Sequence, residues 1–429
     1  MSDTIPSQRR DPVSLARSLW SDKERFAQVT TAVSGMGAYA FSVLSGPILS
    51  RSLQASGRGD LAAVIAPTQL LGFVLLLGLP LAAMYHAEEH PHRDLISNGW
   101  TVALLTGLPV GAIFWLIAPW YLRDHPAITV PWFRAFLVMA VVFVPMSVSL
   151  ELLRTRPRMI EFNVLRNLPL VLNTFILTGL WLSGHVTLET ALGSQIVALG
   201  VSYGLVFLVG GGAWRPHRTR RSVLVRQVRY GLEVWIGSVA SLVINRIDQF
   251  LLVGFVSSAS LGHYVIAVTG SSVSGPVGVA FGLTLFPKVR NAADEDERRA
   301  ATARAFRLTL YFSVGIATLM AAVAPFVLPW VFGKDFEPSV RLLWILLPGQ
   351  VMADLAAVLI QYFLASGRPG ISSRALGYAA AMTVVTLLVL VGPFGVAGAA
   401  VSTSVAEATL LGYLGWKYHR AASAPADRA

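Results

Sequence analysis

Four ionisable side chains stand inside long apolar stretches of this chain: Arg246 and Asp248, two residues apart, then Asp354 and Glu407. A charged group at membrane depth costs about 2.5–3.5 kcal/mol by insertion scales, so each is a candidate for chemistry. An arginine presents a planar fork of donors that fits a phosphate or diphosphate. A carboxylate can hold a sodium ion or hand on a proton. Arg51, at the outer end of an apolar stretch, is the second candidate for phosphate, although an arginine so placed also snorkels to lipid headgroups. Helical residues two apart point about 200° apart, so Arg246 and Asp248 need different partners. The expectation is that Arg246 faces a cavity and binds an anionic group, while Asp248 pairs within the C-terminal half. Helical rise places Asp248 in the outer half of the membrane, Glu407 near its midplane and Asp354 toward the cytoplasmic third. Such a staircase can carry protons or sodium; carboxylates of this kind also simply hold helix pairs together.

The elements that must position these groups are membrane-spanning helices. Of 429 residues, 54% are hydrophobic and 13% charged, which leaves too little polar surface for a water-soluble domain. A spanning helix needs about 20 mostly apolar residues, and such stretches lie at about 27–53, 61–87, 97–120, 131–153, 163–184, 188–212, 230–257, 261–287, 304–331, 338–364, 371–391 and 393–416. They are too long and too evenly apolar for barrel strands, so each satisfies its own backbone as a helix. The predicted fold is all-α: a polytopic protein of about 12 transmembrane helices in two six-helix lobes around a central cavity. The most basic connection, from Trp214 to Arg229, falls at mid-chain. It divides the chain into a tail (1–27), an N-terminal lobe (28–213), a basic linker (214–229), a C-terminal lobe (230–416) and a second tail (417–429). A weak internal echo, Gly59-Asp60-Leu61-Ala62-Ala63-Val64-Ile65-Ala66 after the first span and Ser260-Leu261-Gly262-His263-Tyr264-Val265-Ile266-Ala267 after the seventh, fits two parallel repeats about a cleft. Gly57-Arg58-Gly59-Asp60 reads as the turn after the first span, with Asp60 capping the next helix. The eighth span is broken by Thr269-Gly270-Ser271-Ser272-Val273-Ser274-Gly275-Pro276, a small and polar stretch suited to tight packing or to water.

The net charge of +11 reports topology rather than nucleic acid. Most of the 34 lysines and arginines fall in the tails and the even-numbered loops, while the other side holds Arg51, Arg58, Arg123, Arg134, Lys334 and Arg341. This is the positive-inside pattern of an inner-membrane protein with both termini cytoplasmic; attraction to the anionic headgroups of membrane lipids comes second. Cysteine is absent, which excludes disulfides and thiolate metal sites. The eight histidines have no paired-ligand spacing, and no metal site or cofactor is expected beyond coupling by H+ or Na+. Outer loops are short, which weighs against a membrane glycosyltransferase or polymerase, so no catalytic residues are assigned. An acidic residue is missing from the first three spans, which weighs against cation–drug exchange.

Asn245-Arg246-Ile247-Asp248, followed by Ser257-Ser258-Ala259-Ser260-Leu261-Gly262-His263-Tyr264, resembles the R-x-D … s-x-x-x-L-G-x-Y signature of bacterial polysaccharide flippases. These belong to the multidrug, oligosaccharidyl-lipid and polysaccharide exporter superfamily. Gly46-Pro47-Ile48-Leu49-Ser50-Arg51 and Gly57-Arg58-Gly59 are similar to a divergent version of the family's first helix and turn. The resemblance implies a two-lobed transporter that flips a polyprenyl-diphosphate-linked oligosaccharide from the cytoplasmic to the outer leaflet by alternating access, for polysaccharide biosynthesis. Polysaccharide polymerase and glycosyltransferases would be its working partners. The alternative within the superfamily is a cation-coupled multidrug efflux antiporter.

Overall fold

The computed structural model describes residues 12–155, 158–210 and 219–423. The extreme N-terminal tail, part of the basic linker (214–218) and the last six residues lie outside the described residues. Among the described residues the chain is helical throughout, with no strand. The first half comprises α1 (Pro12–Leu75), α2 (Leu79–Tyr85), α3 (His92–Val102), α4 (Leu108–Tyr121), α5 (Thr129–Leu152), α6 (Met159–Leu182) and α7 (Leu188–Val209). The second comprises α8 (Arg221–Leu252), α9 (Ser258–Ser271), α10 (Gly275–Asn291), α11 (Glu295–Phe332), α12 (Ser339–Ala365) and α13 (Pro369–Ser423).

Nine described stretches are long and apolar enough to cross a membrane. Two of them hold more than one crossing. α13 leaves helical geometry at Gly395 (φ 54°) and doubles back, so that Ser402 Oγ donates to the Thr383 carbonyl at 3.1 Å. α1 breaks at Gln54 (φ 58°, ψ −173°), which separates the first crossing from the second, and α2 completes the second. With α8, 32 residues long, the described helices have room for the twelve crossings that the apolar pattern predicts. The first turn differs from expectation. It falls at Gln54, and Gly57-Arg58-Gly59-Asp60 is already helix, because Gly59 serves a contact with Ser258 of α9 and not a change of direction.

Breaks inside crossings have local causes. The third widens into a π turn at Ala103–Gly107, just ahead of Pro109, which has no N–H to offer the preceding turn. The eighth is interrupted, as its small residues suggest, by a 3-10 turn at Ser272–Ser274 between α9 and α10. α10 then lies so near α12 that a Cβ on Gly278 would stand 2.7 Å from the Asp354 Cα. Its small residues thus permit close packing on one side, while Ser272 and Pro276 remain exposed on the other.

The apolar core is continuous at one end of the molecule and divided at the other. At the end opposite the arginine-rich connections, Leu49, Leu61, Phe133, Leu252, Tyr264, Phe336 and Ala399 belong to one cluster that runs through both lobes. At the basic end there are two clusters. One, with Leu79, Leu95, Val148 and Phe162, is built on the first lobe and takes in Val223 from the start of α8; the other, with Leu285, Val289, Leu359 and Leu414, lies in the second lobe. α8 lies along the lobe boundary. Gly231 packs against the Leu77–Gly78 backbone, Tyr230 stacks on Tyr85 at 4.4 Å, and Gln227 accepts from Asn98 Nδ2 at 2.9 Å.

Candidate functional site

Arg246 and Asp248 stand back to back on α8. Trp235, on the same helix, donates its indole N–H to the Val74 carbonyl of the second crossing at 3.0 Å, which identifies the α8 face turned to the first lobe. Arg246 follows Trp235 by eleven residues, close to three full turns, and so shares that face. There its side chain is exposed. One turn further on, Phe250 meets the first lobe again, its carbonyl accepting from Tyr121 Oη at 2.6 Å. Arg246 therefore sits in the gap between two places where α8 touches the first lobe.

Asp248 points the other way and is buried. One carboxylate oxygen accepts from the Tyr264 hydroxyl of α9 at 2.5 Å, and the other from its neighbour's backbone, Gln249 N, at 2.7 Å. Tyr264 Oη is in turn 3.3 Å from Thr403 Oγ1 on α13. One turn along the same face of α13 is Glu407, buried, with Oε2 lacking a hydrogen-bond partner among the described residues. Its electrostatic neighbour is Asp354 on α12. Asp354 is also buried and accepts from Ser313 Oγ of α11 at 2.7 Å and from Gln350 Nε2 at 2.9 Å. The three carboxylates expected to form a staircase thus follow a polar line through the second lobe, with α13 as its spine. A buried oxygen with no donor is the one place on that line where a proton or a small cation would improve matters.

Arg51 lies at the opposite end. Its Nε donates to the Val331 carbonyl at 3.0 Å and its Nη2 to the Trp330 carbonyl, so it caps the C-terminus of α11 and ties the first lobe to the second. Nearby is a cluster that the sequence does not announce. Asp60 Oδ1 is 2.7 Å from His125 Nδ1 and accepts from Ser258 Oγ of the second lobe; all three lie at the seam between the lobes. His125 Nε2 is 3.4 Å from the Val253 carbonyl. The backbones themselves touch here. A Cβ on Gly59 would stand 1.7 Å from the Ser258 carbonyl oxygen, and one on Gly262 would stand 1.9 Å from that of Ala55. The turns that echo each other in sequence are therefore pressed against each other in space. Inside the first lobe a neutral recess of about 230 Å³, lined by Thr68, Gln69, Phe73, Phe143, Gln195 and Tyr203 among others, also escaped a reading that weighed only ionisable groups.

Comparison with known proteins adds lineage to this geometry. The family profile described as polysaccharide biosynthesis protein matches residues 29–292. The "Probable low-salt glycan biosynthesis flippase Agl15" of Haloferax volcanii is 20% identical over 258 residues, 58% of this chain and 52% of that protein. An uncharacterized membrane protein of Methanocaldococcus jannaschii is 22% identical over 43% of this chain and 37% of its own length. The chain thus spans about half the length, or less, of the curated relatives it matches. Among solved structures, the lipid II flippase MurJ in an inward closed conformation aligns with a TM-score of 0.76 at 10% identity, covering 91% of this chain and 87% of that one. An inward-facing multidrug resistance MATE transporter aligns at 0.72 and 14%, covering 94% and 100%. An outward-facing MATE transporter reaches only 0.53, at 15% identity, over 92% and 96%. At such identities the likeness is one of fold.

Proposed function

Because this chain belongs to the polysaccharide biosynthesis protein family, we propose that it carries a polyprenyl-diphosphate-linked oligosaccharide across the membrane, from the cytoplasmic to the outer leaflet, by alternating access. The observation that supports this most is Arg246, an exposed cation on the lobe-facing side of α8, at a boundary whose apolar core is continuous at one end and divided at the other. The positive-inside rule makes the basic end cytoplasmic, together with both termini, in a bacterial inner membrane. In this reading Arg246 takes the diphosphate through its fork of donors, the sugar rides between the lobes, and the polyprenyl tail stays in lipid. Arg51, already bonded to α11, keeps donors free for a phosphate arriving at the outer end. No bond is made or broken. The polar line Asp248–Tyr264–Thr403–Glu407–Asp354 supplies coupling, by H+ or Na+ binding at Glu407. Glycosyltransferases on one face and a polysaccharide polymerase on the other would supply and consume the cargo.

A strain lacking the gene tests the reading. Lipid-linked oligosaccharide should accumulate in the cytoplasmic leaflet, and the purified protein in proteoliposomes should move it across. A strain with an unchanged lipid-linked pool would refute the proposal. The rival is a cation-coupled multidrug antiporter, which the inward-facing MATE likeness keeps in view. The described lining of the first-lobe recess, however, carries no carboxylate to hold a cationic drug.

A further inference from the structure

We propose that the neutral recess between α1, α5 and α7 is a sugar subsite, a place where one ring of the cargo's glycan docks. The proposal rests on the transport reading above and adds to it a ligand class and a location. Along the membrane normal, the lining takes in the middle of the second crossing, Thr68 to Phe73, and the middle of α5, Phe136 to Phe143. Transport sites favour that depth, and uncompensated polar groups are costly there. Yet Gln69, Gln195 and Tyr203 all line the recess, Gln69 exposed, Gln195 half-buried and Tyr203 buried.

A second groove, that between α3, α4 and α5, has a different lining. It is built from Trp100, Leu104, Leu108, Trp115, Leu137 and Val141, with no amide or hydroxyl. In the recess each glutamine amide offers two donors and an acceptor, and the phenol offers one of each. Phe73, Phe136, Phe143 and Tyr203 add aromatic surface, with Phe73 and Phe143 packed edge to face at 5.4 Å. Amides for hydroxyl edges and aromatic faces for C–H faces is the pairing a pyranose ring requires. No side chain in the lining is charged, so neither a diphosphate nor a cationic drug finds a counter-ion there. At about 230 Å³ the space suits one ring rather than a chain. Phe73 is followed by Val74, whose carbonyl accepts from Trp235 of α8, so the recess lies one residue along α1 from a contact with the second lobe.

The test compares two probes on the full-length protein in nanodiscs: the lipid-linked oligosaccharide that accumulates in the deletion strain, and the same polyprenyl diphosphate without sugar. Wild type should bind the glycosylated carrier more tightly. The Gln69→Leu, Gln195→Leu double variant should bind it about tenfold more weakly, the effect of a few lost hydrogen bonds, while binding of the bare carrier stays as in wild type. Tyr203→Phe keeps its ring and its packing, and should show a loss of about threefold confined to the glycosylated probe. An unchanged melting temperature separates these effects from misfolding. Wild type binding both carriers equally, or variants weakened equally toward both or toward neither, would overturn the subsite while leaving transport standing. If wild type binds neither carrier, the subsite falls together with the transport reading.

Discussion

Ser258, at the start of α9, donates its hydroxyl hydrogen to Asp60 across the lobe boundary, beside the His125 ring that lies 2.7 Å from the same carboxylate oxygen. The three groups form a polar pin in an otherwise apolar seam. Removing one partner from a buried hydrogen-bonded cluster leaves the others under-satisfied, at a cost of about 1–3 kcal/mol. His125→Ala should therefore weaken the closed outer end. The chain has no cysteine of its own, so a single cysteine at Ala55, buried against Gly262, reports the seam cleanly. Thiol labelling of Ala55→Cys should be slow alone and about tenfold faster with His125→Ala added. Equal rates would mean that the pin does not hold the seam.

Two glycines give opposite predictions for the same substitution. Gly59→Ala places a methyl group inside the Ser258 carbonyl, and overpacking of this kind costs about 1–3 kcal/mol. Gly204→Ala, on α7, meets nothing within 4 Å and should stabilise its helix by about 0.5–1 kcal/mol. Thermal unfolding in detergent should move down for the first and level or up for the second.

Arg246 is exposed and makes no described bond, so its loss should leave the fold unharmed. Arg246→Ala is expected to abolish flipping at an unchanged melting temperature, and Arg246→Lys to retain part of it, since a point charge replaces a fork. Full activity in both would remove the diphosphate role.

Glu407→Gln keeps the shape of the side chain and supplies Oε2's position with a neutral group. Folding should hold, while transport loses its response to an imposed proton or sodium gradient. Retained gradient dependence would assign coupling elsewhere. Tyr264→Phe gives a complementary structural readout, because Asp248 then loses its side-chain donor, worth about 1–3 kcal/mol when the group is buried.

Much of the architecture was legible because lipid imposes one rule on every crossing: an apolar run must close its own hydrogen bonds. The eighth span's break at Ser272–Ser274 was equally readable from its small residues. The first turn was not. Arg58-Gly59-Asp60 has the composition of a loop, but its glycine meets the Ser258 backbone and its aspartate meets His125, partners roughly 200 and 65 residues away that no local pattern reveals. Asp248, Asp354 and Glu407 stood out singly by charge, whereas their common alignment along α13 is a property of tertiary packing. Gln69, Gln195 and Tyr203 stayed silent because neutral polar residues do not interrupt an apolar run.

The outer seam is mostly main chain resting on main chain, at Gly59 against Ser258 and at Gly262 against Ala55. At those contacts there is no side chain to swing aside, and the bonds of Asp60 and Arg51 beside them tie α1 to α9 and α11. The seam can only part as a unit, by swinging whole helices. A seal of that kind gives ions no half-open state through which to slip while a bulky passenger turns over.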